Sequence, residues 1–410
     1  MKTRIILASI TLAAALYICP AAMACSSIII SGKYTASGRP VMLKTRDQGG
    51  DSFNTNIKYF TGGKYDYISM GPTPWKTADK IRSTGGGMNS AGLCMAGLTS
   101  HSFPDDTLKI QGRGSAFLER YALANLSSIE EFDEYLASLP HPLAMRFNLG
   151  VIDAHGGAAY YEFGNDKWVK YDVNDPEIAP DGYRCCTNFS FSGDRPDLKG
   201  HDRYDDCVAI MEGLKKNADG KYVVEPDYLI DMFGRSFTNV TNPQMKPDKN
   251  GMVSDLGLIS HRNTSNIIVF EGVPEGTDPK YCIMWTALGH PKCSPAIPLM
   301  ASHGNTIPDY IDCPPAKFAP IFEDVMTISD NFLYTQKATK GRERYFDKEM
   351  AVELRAVALK AEKKINSLFL PLYRKWESGA ITDDQFKSEY IKQLNEYYAI
   401  FKKTFRPYLH

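Results

Sequence analysis

The chain has 410 residues, with 47 Lys and Arg against 48 Asp and Glu and a formal net charge of −1. No basic or acidic block dominates, which argues against nucleic acid or an anionic membrane as the main partner. The length allows one large domain or two smaller ones.

Lys2 and Arg4 precede a mostly apolar run, Ile5 to Ile18, and Ala22-Met23-Ala24 is a small-x-small cleavage pattern. The run is shorter than the ~20 residues of a membrane span. Residues 1–24 therefore read as an export signal, and the mature protein is expected in the periplasm or outside the cell. Cys19 leaves with the signal and Cys25 becomes the first residue. Cys94, Cys185, Cys186, Cys207, Cys282, Cys293 and Cys313 remain, an odd set, so at least one stays unpaired in a monomer. Cys185 and Cys186 are adjacent and point to opposite faces of a strand, so they do not pair with each other. No CxxC or HExxH spacing occurs, and His261, His290 and His303 match no ligand pattern, so neither a metal nor another cofactor is expected.

Short strands fill the first half. Ser26 to Ser31 and Pro40 to Asp47 form a pair joined by a turn at Tyr34 to Gly38. Asn56 to Phe60 and Tyr65 to Met70 flank Gly62-Gly63, and Leu93 to Leu98 follows a glycine run. Helices fit Ser115 to Leu126 and Ser128 to Ser138, where Ser128 with Glu131 resembles a capping box. Strands resume at Arg146 to Asp153, Ala158 to Phe163 and Trp168 to Asp172, with a turn at His155-Gly156-Gly157. "YRCCTNFSFSG" reads as a strand ending in a loop, followed by helices near Arg203 to Lys215 and Pro226 to Phe233. Two more strands fall at Ser265 to Phe270 and Tyr281 to Leu288. From Phe318 the pattern is helical, with long amphipathic stretches at Lys348 to Leu370 and Thr382 to Phe405. This order implies a layered α+β domain over 25–315 and a helical extension over 316–410 packed on it.

A cysteine directly after a cleavage pattern has two chemical uses. One is lipidation of the thiol. The other is catalysis, with the freed cysteine as nucleophile and its own α-amine as base. Lipidation prefers Leu three residues before the cysteine, where Ala22 stands, and needs a tether, whereas Ser26-Ser27-Ile28-Ile29-Ile30 starts a β-branched strand at once. Free thiols titrate near ~8.5 and α-amino groups near ~8, so each has a reactive fraction at neutral pH. No separate histidine is then required.

Four segments resemble the cysteine-type N-terminal nucleophile hydrolases: choloylglycine hydrolase and penicillin V acylase, the acyl-CoA:6-aminopenicillanic acid acyltransferase family, and the dipeptidase A family. The first is "CSSIIISGKYTASGRPVMLKTRD". In the family a basic residue stands three before an aspartate that hydrogen-bonds near the nucleophile's amine. Asp47 matches the aspartate. Lys44 stands where relatives usually carry Arg, and Arg46 is the other source of that cation, though a regular strand points it away from Asp47's face. The second segment, "GGGMNSAGLCMAGL", offers Asn89 as an oxyanion donor, or as a plain hairpin-turn residue. The third, "CCTNFSFSG", offers Asn188, which in the family helps bind the oxyanion or the α-amine. The fourth, "ISHRNTSNIIVF" with "MWTALGHPKCSPAIPL", offers Arg262 as an active-site arginine, and its second part is most similar to the dipeptidases.

The resemblance implies a four-layer αββα sandwich and an enzyme without cofactor. It would hydrolyse linear amide bonds of a small-molecule amide or dipeptide. A dipeptidase, an acyltransferase to an amine acceptor, and a lipid-anchored binding protein without catalysis remain alternatives. Tyr160-Tyr161 and Tyr397-Tyr398 read as packing residues or as walls of an acyl pocket.

Overall fold

The structure, a computed structural model, describes residues 24–47, 55–72, 85–103, 114–193, 200–312, 318–335 and 344–409. In chain order it runs β1 (Ser26–Ile30), β2 (Val41–Asp47), β3 (Thr55–Phe60), β4 (Tyr67–Pro72), β5 (Gly86–Asn89), β6 (Cys94–Thr99), α1 (Ser115–Asn125) and α2 (Ile129–Ser138). Then come β7 (Phe147–Ile152), β8 (Ala158–Phe163), β9 (Trp168–Asp172), β10 (Tyr183–Cys186), α3 (His201–Glu212) and α4 (Pro226–Gly234). The last part holds β11 (Met252–Ser254), β12 (Thr264–Glu271), β13 (Ile283–Leu288), β14 (Ile297–Leu299), α5 (Pro320–Ile328), β15 (Tyr345–Asp347), α6 (Lys348–Glu377) and α7 (Asp383–Thr404).

Two antiparallel sheets carry the fold, one in the order β10-β1-β2-β12-β13-β14 and the other β3-β4-β5-β6-β7-β8-β9. The β-branched run Ile28-Ile29-Ile30 makes β1 a strand buried on both faces. Side chains at alternate positions of β1 and β2 meet the second sheet, where Ser27 Oγ lies 2.7 Å from Tyr160 Oη. Leu118, Leu123, Phe132 and Leu136 of α1 and α2 cover the far face of the second sheet, against Met95, Leu149, Val151 and Tyr161. α3 and α4 cover the far face of the first. Four layers, αββα, follow from burying both faces of each sheet.

The C-terminal helices extend the outer layer on the first sheet. Phe369 of α6 meets Trp285 edge-on, with ring centroids 5.5 Å apart, and Tyr390 of α7 donates to the Pro298 carbonyl at 3.0 Å. α6 runs to Glu377, beyond the expected Leu370. β5 is the glycine run itself, and β11, β14 and β15 are three-residue strands that hydrophobic alternation does not reveal. Ser128 caps α2 as expected, but the return bond of Glu131 goes to Ser127 N at 2.6 Å rather than to Ser128.

Candidate active site

Cys25 directly precedes β1 and is 3 % exposed. Its backbone nitrogen donates to Asn188 Oδ1 at 2.7 Å. Arg203, buried in the first turn of α3, grips the same place: Nη1 donates to Cys25 O at 2.6 Å and to Ser26 Oγ at 3.0 Å, and Nη2 donates to Asn188 Oδ1 at 2.8 Å. The backbone permits this approach because Gly200, at φ 91°, has no Cβ, which would sit 2.9 Å from Arg203 Nη2. The Asn188 loop is held from the second sheet. Asn188 Nδ2 donates to Thr99 O at 2.8 Å, and Asn148 Nδ2 donates to Phe189 O at 2.7 Å. Two strand ends, a loop and a helix start therefore meet around the Cys25 backbone.

Lys44 and Arg46 share the face of β2 that looks into the space between the sheets. Ser26 pairs with Thr45, so Cys25 stands opposite Arg46, one residue past the ladder. Both cations are buried rather than solvated at a strand end. Lys44 Nζ donates to Gly97 O. Burial pushes the Lys44 pKa down, against the pull of Cys25 and Glu119. The same opposition leaves Arg46 lowered to about 10. Glu119, on α1, is pushed up to about 7 by burial, with Lys44 and Arg46 working against that rise.

Asp47 lies on the other face of β2, fully buried, and accepts from Thr264 Oγ1. Its Oδ2 is 3.4 Å from His261 Nε2. Burial works against a charge on His261, but Asp47 and then Asp255 outweigh it and raise its pKa. His261, which matches no ligand pattern in the sequence, is thus half of a carboxylate–imidazole pair.

Two expected site residues lie elsewhere. Asn89 sits on the outer face of its sheet, where Nδ2 donates to Leu123 O at 3.0 Å and Leu126 O at 2.7 Å. Its Oδ1 accepts from Ala91 N and Leu93 N. Both ends of the amide are spent on joining the β5–β6 turn to α1, so Asn89 is a scaffold residue and not an oxyanion donor. Arg262 gives Nη2 to Asp330 near the C-terminal helices, which makes it an ion-pair residue of the outer layer. Arg203 and Asn148 escaped the sequence reading, although each carries a signal: a cation on the apolar stripe of a helix, and an amide inside the apolar strand "FNLGVI". Tyr160 and Tyr161 are packed in the two layers of core. The described cysteines are all free and buried, and Cys313 lies outside the described residues.

A small cavity of about 190 Å³ lies under α4 and α6 beside Arg39, Glu271 and Trp285. Arg39 precedes β2 while Arg46 stands near its end, which separates that cavity from Cys25 by the length of the strand, about 20 Å.

Two face-to-face antiparallel sheets between helical layers, with a cysteine opening the central hairpin, are the architecture of the N-terminal nucleophile hydrolase superfamily. The model of the acyl-coenzyme A:6-aminopenicillanic acid acyl-transferase family matches residues 35–246, just over half of the chain, and the chain belongs to that family. That family is one of acyl-transfer enzymes. Among solved structures the chain is similar to penicillin V acylase from Agrobacterium tumefaciens, at 15% identity and TM-score 0.41 over 67% of this chain and 86% of that one. It is also similar to a variant of the conjugated bile acid hydrolase from Clostridium perfringens, at 15% identity and TM-score 0.37 over 68% of this chain and 93% of that one. No curated protein matches the chain.

Proposed function

We propose that the protein is an exported hydrolase of linear amide bonds, with Cys25 as nucleophile once residues 1–24 are removed. The observation that carries this reading is the grip on the Cys25 nitrogen by Asn188 Oδ1, itself held by Arg203. A buried N–H needs an acceptor in any case, and this acceptor is a side chain that an arginine holds in place. The arrangement suits an α-amine that must be held beside its own thiol.

The freed amine takes the thiol proton, directly or through one water, and Sγ attacks the amide carbonyl carbon. The C=O electron pair moves onto oxygen. Lys44 has N–H donors beyond the one that goes to Gly97 O, and these stand ready to stabilise the anion beside Cys25. Collapse of the tetrahedral species breaks the C–N bond, and the ammonium returns its proton to the leaving nitrogen. Water, deprotonated by the same amine, then cleaves the thioester and frees the acid. Asn188 orients the amine through Oδ1. Asp47 acts from the opposite face of β2, through Thr264 and His261. Transfer of the acyl group to an amine in place of water is the second reading, supported by membership in an acyl-transferase family. Lipid anchoring is disfavoured by a Cys25 that is buried at the head of a central strand.

N-terminal sequencing and intact mass of the exported protein test the reading, together with Cys25→Ala. A free Cys25 at the start and a folded, inactive variant are expected. A lipid adduct, another first residue or an active Cys25→Ala protein would overturn it.

A further inference from the structure

The inner face of the first sheet carries polar groups that neither the fold nor the chemistry above uses. Arg46 is 1 % exposed. Its Nη1 donates to Thr55 Oγ1 at 2.8 Å, on the first residue of β3. Among the described residues nothing accepts from Nε or Nη2. Asn266 pairs with Arg46 across β12 and β2. It is fully buried, and among the described residues neither Oδ1 nor Nδ2 has a hydrogen-bond partner. Cys25, Arg46 and Asn266 therefore form a row across three adjacent strands, about 10 Å long at the usual strand spacing.

Buried polar atoms without partners are rare and costly, about 1–3 kcal/mol each and more when charged. The same face of β12 continues with Ile268 and Phe270, so an apolar residue at 266 would fit its neighbours. What these atoms share is a geometry. Nε and Nη2 are the two adjacent donors of one guanidinium edge, the fork that a carboxylate accepts with both oxygens. The Asn266 amide beside it adds a further donor, and an acceptor for an N–H. The charge on this face also favours an anion: Lys44 and Arg46 face Glu119, while Asp47 lies on the opposite face of the strand. Room for the guanidinium stem comes from Gly85, where a Cβ would stand 3.0 Å from Arg46 Cδ.

The geometry points to Arg46 and Asn266 as a subsite for a carboxylate carried by the acyl half of the substrate. The preferred substrates are then amides of dicarboxylic or aminodicarboxylic acids rather than of plain fatty or aromatic acids. The assignment to the acyl half rests on the Cys25 reading above. The amine that protonates the leaving nitrogen is held on the Asn188 and Arg203 side, and Arg46 lies across the strand from it. The acyl group left on Sγ thus extends along the Arg46–Asn266 row into the space between the sheets, and the amine product departs on the other side.

The test uses two chromogenic amides with the same leaving group, glutaryl-p-nitroanilide and pentanoyl-p-nitroanilide, on the mature protein. The glutaryl amide is expected to exceed the pentanoyl amide in kcat/KM by about 10- to 100-fold, the range of a charge-assisted hydrogen-bond pair. Arg46→Met is expected to collapse that ratio, and Asn266→Ala to reduce it. Equal turnover of the two amides by the native protein would overturn the subsite, whatever the variants do. Free glutarate gives a readout independent of chemistry. It should raise the melting temperature of the native protein and slow alkylation of Cys25 by iodoacetamide, and pentanoate should do neither. Glutarate protection without acylation of Cys25 by either amide would retain the subsite and remove the nucleophile reading. Acylation of Cys25 by both amides at the same rate would do the reverse.

Discussion

Asn89 and Asn188 both close strands beside a turn, and their surroundings separate them. The sequence around each is rich in Gly, Ser and Thr, so spacing identifies two turn-closing amides and cannot tell which faces the nucleophile. The side of the sheet decides, and it depends on a register set by distant pairing. Asn89 makes four hydrogen bonds within its own sheet and α1. Asn89→Ala is therefore expected to lower stability by about 2–4 kcal/mol, at about 1 kcal/mol for each bond, measured by urea unfolding. The kcat of the folded fraction should stay within a few-fold of the native value. An oxyanion donor would show the opposite pattern, a loss of ~10²- to 10³-fold in kcat with stability kept. His261 gives a second residue-level prediction. Its pKa is raised in the fold, where Asp47 and Asp255 face it and Arg203 opposes them. Its contribution to stability is thus fully present below the unfolded value of about 6.5 and is lost as pH rises through the higher folded value. Thermal melts should show native protein more stable than His261→Gln at about pH 6, with the gap closing as the pH is raised. A gap that widened with pH would mean that the imidazole is held neutral and does not pair with Asp47.

At the scale of elements, strands with β-branched residues and helices with polar caps were legible, and glycine-built or very short strands were not. β1 and β2 follow from Ile28-Ile29-Ile30 and Val41-Met42-Leu43. β5 is Gly-Gly-Met-Asn, a composition that favours turns and is held extended only by its neighbours β4 and β6. α3 falls where the sequence puts a helix, near Arg203 to Lys215, and it carries an apolar stripe. The arginine on that stripe, at 203 with Cys207, Ile210 and Met211, needed the burial pattern to be recognised as a site residue. α6 shows how a predicted element acquires a role that its sequence does not announce. Its Glu362 is buried and accepts from Ala296 N at 2.6 Å and from both terminal nitrogens of Arg235, which also donates to Pro291 O and Ser294 O. Burial raises the Glu362 pKa against the pull of Arg235. Removing one partner strands the other charge in the interior, so Glu362→Ala should cost about 3–5 kcal/mol in chemical denaturation. The double change Arg235→Met with Glu362→Leu should cost less than that single change, because no charge is left alone. A single variant within about 1 kcal/mol of native would mean that water reaches the pair.

For the whole molecule, the sandwich was legible as a class because strands and helices alternate in blocks, and the match of four segments narrowed it to one superfamily. The relation of the C-terminal segment to the sandwich was less legible, since an amphipathic helix declares an apolar face without naming what it covers. The structure gives α6 and α7 no core of their own. Leu354, Ile365, Phe369 and Trp376 belong to the same buried cluster as Ile267, Trp285 and Leu299. β15 completes a two-stranded ladder with β11, and Arg39, just before β2, reaches Tyr373 and Glu377 at the end of α6. A shared core makes the two parts one cooperative unit, because opening either exposes the apolar face of the other. The native protein should therefore unfold in a single calorimetric transition, with equal calorimetric and van't Hoff enthalpies. A chain lacking residues 345–409 should fail to accumulate as soluble protein, since the uncovered patch around Trp285 and Pro298 is large and apolar. Two resolved transitions, or a truncated chain that is soluble and still melts cooperatively, would show instead that the sandwich folds alone and that the helices are a separable cover.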